Sequence, residues 1–246
     1  MSVSIEVVSQ DLKALKLSVM AAHLEGVLDQ ARQKNLGILD ILKRLLDAEQ
    51  EERWKNAVSR RFSQSGITER VSIDQFDFHH HKSREDQKTK ILELLNLDFI
   101  EKKQDVIFIG NPGTGKTMLA KCIATSACNA NLKVLFTSAI DMINQLVAAE
   151  LDRSLIRKLR HYQTPDLLVC DELGYLPLGS QGSNLFFQVI SQRHTQRSTI
   201  LSTNLPFAQW GKVFDSNTVA SAIADRLVYN SEIIILGGTS YRRKNK

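Results

Sequence analysis

The residues best equipped for chemistry form one run, Gly110-Asn111-Pro112-Gly113-Thr114-Gly115-Lys116-Thr117. It satisfies the spacing G-x-x-x-x-G-K-[ST] and lies between an apolar stretch, Val106-Ile107-Phe108-Ile109, and a helix-forming stretch that begins at Lys116. Glycines at these positions let the backbone wrap a phosphate chain with its N–H groups turned inward, and the helix start adds the positive end of its dipole. Lys116 is expected to reach the β- and γ-phosphates of ATP, and the Thr117 hydroxyl to hold Mg2+. Further on, Leu167-Leu168-Val169-Cys170 delivers Asp171 and Glu172 to its end. Asp171 is expected to bind Mg2+ through water, and Glu172 to orient and deprotonate an attacking water. The predicted activity is therefore ATP hydrolysis. A third stretch, Thr199-Ile200-Leu201-Ser202-Thr203-Asn204, also ends in polar residues. Asn204 suits a hydrogen bond to the γ-phosphate and the attacking water, although an Asn before Leu205-Pro206 fits a plain turn as well.

These groups need a scaffold that ends several strands at one edge. Val134–Phe136, Leu167–Cys170, Thr199–Leu201 and Ile233–Ile235 read as continuous apolar strands beside Val106–Ile109. Helices are expected at Lys116–Cys128, in two pieces over Ile140–Tyr162, at Asn184–His194 and around Val219–Leu227. That alternation predicts an α/β fold with a parallel sheet covered on both faces. Residues 1–66 instead read as a small all-α domain. Leu12, Leu15, Val19 and Ala22 fall at helical spacing, and Asn35-Leu36-Gly37 breaks the pattern before Ile38, Ile41, Leu42, Leu45 and Leu46. A linker is expected over 67–81 and the ATPase domain over 82–246. His79-His80-His81 within that linker reads as solvated, and Phe76 and Phe78 as its anchors to the core.

The chain has 246 residues, 43% hydrophobic and 24% charged, which excludes a disordered or fibrous class. No run approaches the roughly 20 apolar residues of a membrane helix, and Met1–Gln10 does not read as a secretion signal. Cys122, Cys128 and Cys170 form no CxxC pair, so a reducing cytoplasm without disulfides is expected. The net charge of +5 is uneven: after residue 150, 12 Lys and Arg face 7 Asp and Glu. A polyanionic partner there would explain the excess, as would a solubilising surface.

The order of phosphate loop, Asp-Glu strand and polar-ended strand resembles the AAA+ ATPases. Asp171-Glu172-Leu173-Gly174-Tyr175-Leu176-Pro177-Leu178, Ser202-Thr203-Asn204-Leu205-Pro206-Phe207 with Trp210, Ala224-Asp225-Arg226-Leu227 and Ser240-Tyr241-Arg242 resemble the IstB family, ATPase helpers of transposition. Leu12-Lys13-Ala14-Leu15-Lys16-Leu17 and Phe76-Asp77-Phe78 fit the same pattern, so the likeness covers nearly the whole chain. It implies a five-stranded parallel core that self-assembles as a homo-oligomer on DNA and passes a target site to a transposase. It also implies that Arg226 is an arginine finger acting on a neighbouring subunit's nucleotide; a local salt bridge to Asp225 is the alternative. These proteins are similar to bacterial replicative helicase loaders, so helicase loading is the alternative function. A small-molecule kinase is a third reading, against which Glu172 and the lack of an acceptor pocket argue. The stretch after Asn204 is too short for the usual helical lid of AAA+ proteins, and Arg242 is the candidate replacement for the lid's arginine.

A DNA surface is read from three basic sets. On a helix spanning Leu151–Tyr162, Arg153, Arg157 and Arg160 fall within about 60° of one another, opposite Leu151, Leu155, Leu159 and Tyr162. Arg193, His194 and Arg197 form the second set, although Arg193 and Arg197 equally suit the C-terminal dipole of their helix, and the tail Arg242-Arg243-Lys244-Asn245-Lys246 forms the third. None is interleaved with aromatic residues, which favours backbone contacts to duplex DNA over stacking on single strands.

Overall fold

The computed structural model describes residues 3–241, and the chain divides into two compact units between Arg60 and Arg61. In the first unit lie α1 (Ile5–Ala14), α2 (Ser18–Lys34) and the start of α3 (Ile38–Gln64). Ser4 caps α1, and Asn35 closes α2 in the left-handed conformation at φ 52°, where the sequence break falls. The bundle's core is small: Met20, Leu24 and Leu45, with Leu12, Val27, Leu28 and Ile41 against them. Glu49 of α3 is only 6% exposed because its carboxylate accepts from the N–H groups of Val19 and Met20, at 3.0 and 3.1 Å, at the uncapped start of α2.

The second unit opens with short 3-10 turns at Ile73–Gln75 and Phe78–His80 and three short helices, α4 (Lys82–Asp86), α5 (Lys88–Leu94) and α6 (Asp98–Glu101). There follow β1 (Asp105–Gly110), α7 (Lys116–Asn129), β2 (Val134–Ser138), α8 (Ala139–Leu151), α9 (Leu155–Gln163) and β3 (Leu167–Leu173). The chain continues through α10 (Gly179–Arg193), β4 (Ser198–Thr203), a 3-10 turn at Phe207–Lys212, α11 (Asn217–Val228) and β5 (Ser231–Leu236). The five strands pair in parallel in the order β2-β3-β4-β1-β5. Side chains alternate across the pleat, so both faces of the sheet are buried. Val106 and Phe108 of β1 pack with Leu119 and Ile123 of α7, while Ile107 packs with Leu146 of α8, Phe186 of α10 and Ile223 of α11. Burial on both faces is why these strands read as unbroken apolar runs. Among the described residues no helix follows β5.

Two expectations change. The stretch 67–81, expected as a linker, belongs with the α/β unit, because Ile67, Phe76 and Phe78 are buried in its first core cluster. The expected helix over Leu151–Tyr162 is broken at Asp152-Arg153-Ser154. α8 ends there with Arg153 at φ 56°, the N–H of Ser154 reaching back to the Ala149 carbonyl at 2.8 Å. Arg153 therefore lies off the helix that carries Arg157 and Arg160, and Leu151 is 81% exposed.

Candidate functional site: a phosphate loop at the carboxyl edge of the sheet

β1 ends at Gly110, where a Cβ would stand 2.1 Å from the Leu236 carbonyl oxygen of the neighbouring strand, so only glycine fits. Gly113 and Gly115 take φ of 81° and 99°, which L residues rarely adopt. Through these turns the loop reverses into α7, whose first residue is Lys116. The Lys116 side chain is buried, its ammonium donating to the loop's own carbonyls at Gly110 (2.7 Å) and Asn111 (3.0 Å). Thr114 closes the turn by donating from its hydroxyl to the Asn111 carbonyl at 2.8 Å.

Across the sheet edge, β3 carries a register shift between Cys170 and Leu173. The bulge buries Asp171 and turns Glu172 outward at φ 63°. Ser202 of β4 stabilises both. Its hydroxyl donates to the Asp171 carboxylate and accepts from the Glu172 N–H at 3.0 Å. A strained backbone held by a specific neighbour is common where a side chain must be aimed. Asn204 follows β4, with its Oδ1 buried and without a partner among the described residues.

The cavity between these edges, of about 180 Å3, is lined by Gly113, Gly115, Lys116, Thr117, Glu172 and Ser202, and by Phe76, Arg84 and Tyr241. The structure thus brings together the predicted loop residues and Glu172, with Asp171 directly behind Ser202. Thr117 and Asp171 supply hydroxyl and carboxylate oxygens, the hard donors that suit Mg2+. Arg84 and Tyr241 were not legible from the sequence as members of this cavity, since both belong to segments remote from the motif.

The predicted basic and finger residues are dispersed. Arg157 and Arg160 lie exposed on α9, and Arg153 is exposed in the break before it. Arg193, expected as a DNA contact, is instead 1% exposed. Its guanidinium donates to the Thr199 hydroxyl (3.0 Å) and to the carbonyls of Tyr162, Gln163, Pro165 (2.9 Å) and Ser198. Burial pushes its pKa down to about 9. Such a side chain binds the fold together and offers nothing to a phosphate. Arg197 pairs with Asp166. Arg226, in the last turn of α11, donates to the Ala222 carbonyl at 2.9 Å and lies over the Phe187 ring; among the described residues it forms no ion pair with Asp225. Arg242 and the basic tail lie outside the described residues. His81 caps α4, accepting from the Ser83 N–H at 3.1 Å, and the described residues contain no group of three metal-ligating side chains. Cys122, Cys128 and Cys170 are buried free thiols, and no described helix is long and apolar enough to cross a membrane.

The fold is shared with proteins of replication initiation. A DnaC helicase loader matches with a TM-score of 0.58 at 20% identity, over 72% of this chain and 98% of that one. AMPPCP-bound DnaA from Aquifex aeolicus matches with a TM-score of 0.60 at 17% identity, over 74% of this chain and 55% of that one. The α/β unit therefore has the fold of these proteins, with the phosphate loop at the carboxyl edge of its five-stranded parallel sheet. Relatives by sequence span almost the full length. The ATP-binding protein of insertion sequence IS232 from Bacillus thuringiensis subsp. berliner is 34% identical over 98% of this chain and 96% of its own. That of IS5376 from Geobacillus stearothermophilus is 37% identical over 94% and 92%. The model of the family described as IstB-like ATP binding protein matches residues 10–246, from the first helices through the phosphate loop to the end. The chain belongs to the IstB-like ATP-binding proteins of insertion sequences.

Proposed function

We propose that this chain is an ATP-hydrolysing, DNA-binding AAA+ protein that assembles with copies of itself on DNA and helps a transposase select or engage its target. The observation that carries the hydrolytic part is Glu172, aimed by its Ser202-held bulge into the cavity that Lys116 and Thr117 line. When ATP enters, Lys116 exchanges the Gly110 and Asn111 carbonyls for the β- and γ-phosphates, a better partner for an ammonium. The N–H groups of Gly113 to Thr117 and the α7 dipole hold the rest of the phosphate chain. The Glu172 carboxylate accepts the proton of the attacking water, while Asn204 orients that water by accepting at its Oδ1, which has no partner among the described residues, and donates from its amide nitrogen to the γ-phosphate. Thr117 and Asp171 would hold Mg2+, which supplies neutralisation of charge on the phosphates. Arg226 is assigned to a neighbouring subunit's nucleotide, supported by the lack of an ion pair to Asp225 among the described residues.

The DNA part is supported by the exposed Arg153, Arg157 and Arg160, together with Arg197 at the edge, and by the positive excess after residue 150. Contacts of this kind read the phosphate backbone and not base sequence. The transposase is inferred from the insertion-sequence context of the relatives, and a cytoplasmic setting goes with it. Pull-down from a lysate of cells carrying the parent element tests this: recovery of the transposase is expected, and recovery of a replicative helicase in its place would favour the helicase-loader alternative.

A further inference from the structure

A phosphate loop works only if its N–H groups face the ligand, and its carbonyls must then point outward and find partners elsewhere. Two of those outward carbonyls are held from outside the loop. The Gly113 carbonyl accepts from the N–H of Tyr241 at 3.0 Å. The Thr114 carbonyl accepts from Arg84 Nη2 at 2.9 Å. Arg84 comes from α4, just past the stretch 67–81 expected as a linker, and its other nitrogen Nη1 donates to the Asp77 carbonyl at 2.8 Å. The guanidinium lies over the Phe76 ring at 4.6 Å and within 5.3 Å of the Tyr241 ring. It is 2% exposed and forms no ion pair among the described residues, and its Nε is buried without a partner.

A buried guanidinium with no ion pair among the described residues is costly, and burial holds its pKa below the usual arginine range against the charge of nearby Asp77. The fold keeps it where it joins Asp77, the loop and Tyr241. We propose that Arg84 is a positioning residue for nucleotide binding: it holds the Thr114 carbonyl outward, so that the loop's N–H groups are turned to the phosphates before ATP arrives. The inference rests on the reading of the loop as an ATP site. Pre-organisation of this kind acts on affinity, because the loop does not have to be ordered at the moment of binding. Arg84 bonds the Asp77 and Thr114 carbonyls and forms no hydrogen bond or ion pair with Glu172 among the described residues, so the chemical step is left alone once ATP is bound.

The test compares Arg84→Met, Arg84→Lys and Lys116→Ala in the full chain, by equilibrium titration with a fluorescent ATP analogue, thermal melting and steady-state turnover. Arg84→Met keeps the apolar stem and removes the donors; its Kd is expected to rise about tenfold or more, the worth of one hydrogen bond from a charged group. Turnover at saturating ATP should stay close to wild type, so that KM moves and kcat does not. Arg84→Lys, with one cationic donor able to reach the Thr114 carbonyl, should fall between the two. If Arg84→Met does not fold, Arg84→Lys carries the test by its own rise in Kd. Variants that melt lower but bind as tightly as wild type, while Lys116→Ala does not bind, would make Arg84 a merely structural residue. Wild-type protein that fails to bind the analogue would overturn the ATP reading and this inference with it.

Discussion

At the amino end of the strands, charged groups are enclosed by partners, whereas at the carboxyl end polar atoms are buried with hydrogen-bonding capacity to spare. Arg193 is surrounded by four carbonyls and a hydroxyl, and Asp105 at the start of β1 accepts from the Thr199 N–H at 2.7 Å. At the other edge, Arg84 Nε and Asn204 Oδ1 have no partner among the described residues, and Lys116 rests on the carbonyls of its own loop. Buried polar groups are normally satisfied; Gln87 Oε1, Thr125 Oγ1 and Ser191 Oγ also lack partners among the described residues, but only at the carboxyl edge do such atoms accompany a phosphate loop and a cavity. Parallel sheets bind ligands at that edge because the loops leaving the strands converge there. The contrast predicts that substitutions at the amino end alter stability, and those at the carboxyl end alter function.

The largest expected effect lies in function. Arg226→Ala and Glu172→Gln should each be inactive, with a loss on the order of 10³–10⁵ for a missing arginine finger. Mixed together, they form some interfaces with both groups intact, and part of the ATPase rate should return; co-assembled mixtures that stay dead at every ratio would leave Arg226 a local residue. At the amino end, Arg193→Met strands several buried carbonyls and should destabilise by about 3–5 kcal/mol in chemical denaturation. ATP affinity of the folded protein should not change, and a loss of DNA binding without loss of stability would reverse the assignment of Arg193. Reversing Arg153, Arg157 and Arg160 to Glu should weaken DNA binding on every sequence alike. The slope of log affinity against log salt should also fall by about one per lost phosphate contact. Unchanged salt dependence would remove those arginines from the interface.

The smallest effect is a pH dependence at the enclosed end. Burial raises the pKa of Asp105 to about 7, against hydrogen bonding from Thr199 and the charge of Arg193. A carboxyl with a folded pKa above its unfolded value binds protons more tightly when folded. Its contribution to stability is present in acid, below the ordinary 3.8, and is lost as pH rises through about 7. Asp105→Asn should flatten the melting-temperature profile over that window, and a profile as steep as wild type would exclude Asp105 as its source.

What was legible in the sequence follows the same division. The phosphate loop is a run of neighbours whose spacing alone dictates its shape, so Gly110 to Thr117 could be read directly. The strands were legible because burial on both faces writes them as apolar runs. Arg193 was misread because a basic residue ending a helix looks the same whether it faces solvent or turns inward; only the return of Tyr162–Pro165 and Ser198 around it decides. Two helices were expected over Ile140–Tyr162, but the second was started at Leu151 and not at Leu155 because apolar periodicity continues in phase across Asp152-Arg153-Ser154, although Ser154 before Leu155 was an available start signal. Arg84 and Tyr241 reach the loop from 30 residues before Thr114 and from beyond β5, and no local pattern announces such a contact.

The most direct test of the central claim measures ATP binding and turnover on the same preparations of wild type, Lys116→Ala and Glu172→Gln. Lys116→Ala should lose binding, and Glu172→Gln should bind ATP as wild type does while turnover stops, since the amide cannot take the proton of the attacking water. Normal turnover by Glu172→Gln would contradict the assignment of this edge of the sheet as a hydrolytic site.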